Sequence, residues 1–159
     1  MGLIENIRTA FADQWIPTIY RDKIRSQRTR LVTLDIPKRE NAAEIQYTLL
    51  GIELKVGKRR FACPDLSTAR YMRVFARFGA REFAIPYDIT RISTAADEFE
   101  TSWHRLWLSL EEEARGRPSS TKGRARTRLL KAIRDEITEI GGGEVMPLFD
   151  RETKQRTSS

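Results

Sequence analysis

The chain has 159 residues, of which 40% are hydrophobic and 32% charged. That length fits one domain with a real core, and the apolar fraction excludes global disorder. Lysine and arginine number 29 against 22 acidic residues, a net charge of +7, so nucleic acid, an anionic surface or an acidic protein are the partner classes to test. No apolar run approaches the ~20 residues of a membrane-spanning helix. The charged opening, MGLIENIRTAFADQW, predicts no export signal, and cytoplasmic localisation follows as the expectation. One cysteine, Cys63, and one histidine, His104, exclude a disulfide framework, a cysteine-cluster zinc site and paired-histidine metal sites.

Leu3, Ile7, Phe11, Trp15 and Ile19 recur at helical spacing, which predicts a helix over 3–25, kinked or divided at Pro17. From Arg30 the period changes to two: Val32, Leu34 and Ile36 point one way, Thr33 and Asp35 the other. The same period predicts strands over 45–50, 52–56 and 59–63. Gly51 marks a bulge or tight bend, and Gly57-Lys58 a hairpin turn. Asp65 or Ser67 can cap a helix that runs to Gly79. A short strand over 82–85 and a long helix from about Ser93 to Glu113 follow. The composition of 114–123 reads as a linker and 124–140 as a basic amphipathic helix, stopped by Gly141-Gly142-Gly143. Residues 141–159 read as a mostly flexible tail, with Met146–Phe149 able to dock on the body.

The expected fold is therefore α+β: a single domain over 1–113 with a small, mostly antiparallel sheet in αβββαβ order, flanked by helices, plus two long C-terminal helices. The apolar faces of strands 30–36, 45–50 and 52–56 are expected to bury against helices. Asp35, Glu44 or Gln46, Glu53 and Lys55 are expected on the opposite face.

Two constellations carry chemistry. The first is Glu53-Leu54-Lys55, whose carboxylate and ammonium share one face of a strand. Metal-dependent phosphodiester cleavage uses such a pair: the carboxylate binds Mg²⁺ with a second acid, and the lysine orients the attacking water. Asp35 is the natural second acid and Glu44 its substitute. Alternating Glu and Lys is also ordinary on the wet face of a strand. The second constellation is basic: Lys58, Arg59 and Arg60 after the hairpin; Arg70, Arg73, Arg77 and Arg81 on the following helix and just beyond it; and Arg115, Arg117, Lys122, Arg124, Arg126, Arg128, Lys131 and Arg134 in the C-terminal segment. Arginine forks bind phosphate oxygens bidentately, and a surface of them gives a salt-sensitive, sequence-independent grip.

The strand bearing Glu53 and Lys55, the basic turn after it, the strand ending near Phe61 and the helix over 70–80 with a strand behind it resemble the PD-(D/E)xK nuclease superfamily. Within it they resemble the archaeal Holliday-junction resolvases, over about residues 30–90. The resemblance implies Mg²⁺ as cofactor, Glu53 as a metal ligand, Lys55 as the catalytic lysine, Asp35 in the aspartate role, and DNA, including branched DNA, as substrate. The run 61–77 also resembles a set of small uncharacterised cyanobacterial proteins. The alternative is a non-catalytic basic α+β protein that binds nucleic acid or a protein partner, a second copy of itself included.

Overall fold

The computed structural model describes residues 2–141. The N-terminal segment is not one kinked helix. Helix α1 (Leu3–Phe11) ends at Ala12, which has φ of 51°, and is followed by a 3₁₀ turn (Ala12–Gln14), helix α2 (Ile16–Ile19) and a π-helical turn (Tyr20–Ile24). Pro17 lies in the first turn of α2, where its missing N–H has no helical acceptor to lose, so the break falls upstream of it. Ile7, Trp15, Ile16, Ile19, Tyr20 and Ile24 nonetheless all enter the core.

Strand β1 (Thr29–Thr33) stops short of the expected 30–36, but the expected alternation continues past its end, with Val32, Leu34 and Ile36 buried and Thr33 and Asp35 exposed. Its neighbour is not the next strand. β1 pairs antiparallel with β5 (Glu82–Pro86), with Leu31 opposite Ala84, while β2 (Ala43–Thr48), β3 (Gly51–Val56) and β4 (Arg59–Cys63) form a separate three-stranded meander. The expected single sheet is two antiparallel sheets, and β5 shows why. The Ala84 N–H donates to the Tyr20 hydroxyl at 2.8 Å, and the Tyr71 hydroxyl donates to the Ala84 carbonyl at 2.7 Å. Both groups point away from β1 and are already satisfied, so no third strand can add there.

The strand expected over 45–50 runs over 43–48, and Leu49-Leu50 form the turn of the β2–β3 hairpin. Thr48 Oγ1 accepts the Leu50 N–H at 3.1 Å and donates to the Gly51 carbonyl, and Gly51 adopts φ of 126°, which leads the chain into β3. Tyr47 and Leu49, expected inside, are therefore exposed, whereas Ile45, Leu54 and Val56 face the core as the pattern required.

Helix α3 (Leu66–Phe78) lies against the three-stranded sheet and against α4 (Ile89–Glu113). The Asp65 side chain caps it by accepting the Thr68 N–H at 2.7 Å. Gly79 ends it in the left-handed region, at φ of 82°. A Cβ at Gly79 would stand 2.3 Å from the Arg39 carbonyl oxygen, so glycine is required there twice over. α4 starts earlier than Ser93 because Asp88 accepts the Thr90 and Arg91 N–H groups. The core is aromatic at its centre: Phe75 stacks on Phe83 with centroids 4.3 Å apart and meets Phe99 edge-on at 5.2 Å.

Helix α5 spans Ser119–Ile140, so half of the expected linker, 119–123, is helical and the connection shrinks to 114–118. Leu129, Leu130, Ile133 and Ile137 are buried in the same core as the rest. The Arg134 guanidinium donates to the Phe78 carbonyl at 3.0 Å, and Glu136 accepts from Trp15 Nε1 at 2.9 Å and from Arg8. α5 is part of the body, not an appended helix. The docking expected of Met146–Phe149 lies outside the described residues.

Because Tyr71 is wholly buried and completes Ala84, Tyr71→Phe leaves a buried carbonyl without a partner. The expected loss is about 1–3 kcal/mol of unfolding free energy. Urea denaturation measures it; an unchanged midpoint would contradict the bracing role.

Candidate nucleic-acid interface

Glu53 and Lys55 do share one face of β3. Register places Gln46 of β2 beside Glu53, and Glu44 of β2 and Arg60 of β4 on either side of Lys55. Arg60 Nη1 donates to Glu53 Oε1 at 3.2 Å and to Gln46 Oε1 at 3.3 Å. Glu44 and Glu53 are thus matched by Lys55 and Arg60, and this face carries no net charge. The polar contacts on it are those of Arg60 with Glu53 and Gln46, cross-strand pairs worth at most about 1 kcal/mol each.

The structure does not bring Asp35 to that face. Asp35 follows β1, the partner of β5, and its carboxylate accepts from Arg59 Nη1 at 2.7 Å and from Arg81 Nη2 at 3.5 Å. Arg59 and Arg60 are consecutive in β4, and consecutive strand residues project to opposite sides. The arginine that holds Asp35 and the one that holds Glu53 therefore keep the two acids apart. Among the described residues no group of three or more His, Cys, Asp or Glu side chains is placed to hold a metal ion. Asp35 is thus not brought to Glu53, whereas Glu44 shares the face of Glu53 on the neighbouring strand.

The cations divide into two classes. Arg59, Arg60, Arg73, Lys122, Arg126 and Lys131 are each tied to a carboxylate. Arg73 shares Glu100 with Arg70, which also reaches Asp97, so α3 and α4 are cross-linked through one shared acid. Arg126 is held by Glu40 and lies 3.8 Å from the Trp107 ring centroid, a cation–π contact. Arg77 is half-buried in a cleft with Trp103, Trp107 and Arg126, where burial, and then Arg73, lower its pKa. Lys58 sits in the exposed Gly57-Lys58 turn.

Arg115, Arg117, Arg124 and Arg128 form the second class. All four are exposed, and none makes an ion pair among the described residues. Between Ala114 and Arg128 the chain has six cationic side chains, Arg115, Arg117, Lys122, Arg124, Arg126 and Arg128, and no acidic one. Arg124 and Arg128 are one turn apart on α5, and with Arg117 they line a groove of about 450 Å³ against Leu3, Ile4 and Glu5 of α1. The walls from α1 were not legible in the sequence, because helical spacing placed Leu3 and Ile4 only on an apolar stripe. The lone signal for the groove was the gap in acidic residues.

Glu100 supports one quantitative expectation. Burial alone would raise its pKa, but the bonds from Arg70 and Arg73 outweigh that and hold it below the usual value of 4.5. A depressed folded-state pKa contributes stability that is complete above about pH 4.5 and is lost as pH falls through the lower folded value. Glu100→Gln should therefore lower stability at pH 7 and flatten the acid limb of a stability–pH profile. A variant profile parallel to the parent's would contradict this role for the Arg70–Glu100–Arg73 cluster.

No family model, curated protein or solved structure matches this chain.

Proposed function

We propose that the chain is a non-catalytic binding protein that grips the phosphate backbone of nucleic acid, DNA in the first instance, with the arginines of the α4–α5 connection and the first turns of α5. The observation that carries this reading is the contrast between Arg115, Arg117, Arg124 and Arg128, exposed and without carboxylate partners among the described residues, and the charge-balanced face around Glu53 and Lys55. A phosphate chain supplies the anions that the fold withholds from these four guanidinium groups, and bidentate bonding suits their geometry. The groove has Arg117, Arg124 and Arg128 on one side and Leu3, Ile4 and the single carboxylate of Glu5 on the other, so a backbone that passes over it meets three guanidinium groups against one acid. The nuclease reading gives Asp35 the role of second acid beside Glu53, and Asp35 is held elsewhere by Arg59 and Arg81, which leaves only Glu44 on the face of Glu53.

Fluorescence anisotropy with a labelled duplex, across a series of salt concentrations, tests the reading. Binding should weaken steeply with salt. Arg124→Ala with Arg128→Ala should lower the log–log slope by about 0.9 for each phosphate that the variant no longer neutralises. Glu53→Ala and Lys55→Ala should leave affinity and slope unchanged. An unaltered slope in the arginine variant would remove the groove from the interface. Mg²⁺-dependent cleavage of duplex or branched DNA that disappears in Glu53→Ala would overturn the reading in favour of the nuclease.

A further inference from the structure

The β2–β3 hairpin presents a surface of a different kind. A two-residue turn makes Thr48 and Gly51 a hydrogen-bonded pair, which fixes the parity of the ladder: Glu44, Gln46 and Thr48 turn their backbone groups to β3. The N–H and C=O groups of Ile45 and Tyr47 therefore point off the edge of the sheet, whereas Ala43, at the start of the strand, is buried. None of them has a backbone partner among the described residues. Beside this edge Tyr47 is 71% exposed, Leu49 106% and Leu50 98%.

Edges of this kind are normally protected. The outer edge of β5 is covered by the Tyr20 and Tyr71 hydroxyls, and β4 carries Arg59 and Arg60. β2 has no lysine, arginine, proline or bulge, and its register runs unbroken from Ala43 to Thr48.

We propose that β2 is the seam of a homodimer, in which β2 of two copies pairs antiparallel about a two-fold axis through Gln46, so that the two three-stranded sheets become one of six strands. The strand is self-complementary in that register. Ile45 and Tyr47 of each copy form hydrogen-bonded pairs with Tyr47 and Ile45 of the other, using the groups that point outward. Their side chains lie on the α3 side of the sheet, where Ile45 opposes the buried Leu54, so the apolar face continues across the seam. On the other face Gln46 meets its own copy and Glu44 meets Thr48. The two Glu44 carboxylates stand about 13 Å apart along the strands, so no like charges are opposed. Because the pairing is isologous it uses up both β2 edges and closes as a dimer, leaving the arginine-bearing β4 edges outside.

The test uses the full chain in a Cys63→Ser background, which removes the single native thiol. Gln46 would oppose its own copy as a non-hydrogen-bonded pair with Cα atoms about 4.5 Å apart, within disulfide range. Under mild oxidation Gln46→Cys should form a covalent dimer at least tenfold faster than Thr101→Cys, an exposed control on α4. Sedimentation of the parent chain should show a monomer–dimer equilibrium. Tyr47→Lys, which adds charge to the edge, and Ile45→Pro, which deletes an outward N–H while sparing the β3 ladder, should each weaken dimerisation at least tenfold with an unchanged circular-dichroism spectrum. Equal cross-linking rates at the two positions, a parent chain that stays monomeric throughout the micromolar range, or dimerisation undiminished in a folded Tyr47→Lys chain would each overturn the proposal.

Discussion

The backbone of Ala84 is the point on which the rest of the architecture turns. Its N–H and C=O are taken by two tyrosine hydroxyls, Tyr20 from the π-helical turn and Tyr71 from α3, both inside the aromatic cluster of Phe75, Phe83 and Phe99. Burial pushes the Tyr20 phenol up to about 12 and holds that of Tyr71 well above its ordinary value, so both remain neutral hydroxyls at neutral pH. Two side chains thus stand where a third strand would otherwise pair. They hold β1 and β5 as a two-stranded ribbon and leave β2, β3 and β4 as an independent meander.

The division between the sheets decides the placement of charge. Asp35 travels with β1 and is taken up by Arg59 and Arg81, while Glu53 belongs to β3 and is taken up by Arg60. Many of the surface acids are engaged in pairs worth about 0–1 kcal/mol each, a small return for stability that nonetheless settles which cations remain free. Around Glu53 and Lys55 the charges cancel. At the α4–α5 connection they do not, because residues 114–128 contain no acid. Six of the chain's 29 basic side chains therefore fall in a stretch that holds no acid.

Local signals in the sequence translated well where a single residue decided the outcome. Asp65 caps α3, Gly79 ends it, and the Gly57-Lys58 turn joins β3 to β4 as the pattern implied. The period of two identified the buried side of β1 and of β3. Periodicity specifies a face and not a neighbour, however, so the partnership of β1 with β5 had no signature in either strand. Leu49 and Leu50 also misled: two leucines in a turn carry no turn chemistry of their own, and the conformation is imposed by Thr48 and Gly51 on either side. Residues 119–123 read as a linker because Ser, Gly and Pro surround them, yet burial of the later α5 face carries the helix back to Ser119. For the site, the shared face of Glu53 and Lys55 was legible, whereas the role of Asp35 depended on a long-range pairing that the sequence does not encode locally. The cationic stretch was visible as composition. Which of its members keep a free guanidinium depends on pairing with Glu40, Glu111 and Asp135, two of which lie outside that helix.

The claim at the centre of this account is that phosphate meets the fold at the arginines of the α4–α5 connection and not at the face of β3. Heteronuclear NMR of the labelled chain, titrated with a DNA duplex at moderate salt, reads this directly. The account predicts that the side-chain Nε–Hε signals of Arg117, Arg124 and Arg128, with the amides around them, shift together and saturably, while the amides of Glu44, Glu53 and Lys55 hold their positions. Shifts centred on Glu53 and Lys55, with the arginine signals unmoved, would contradict it.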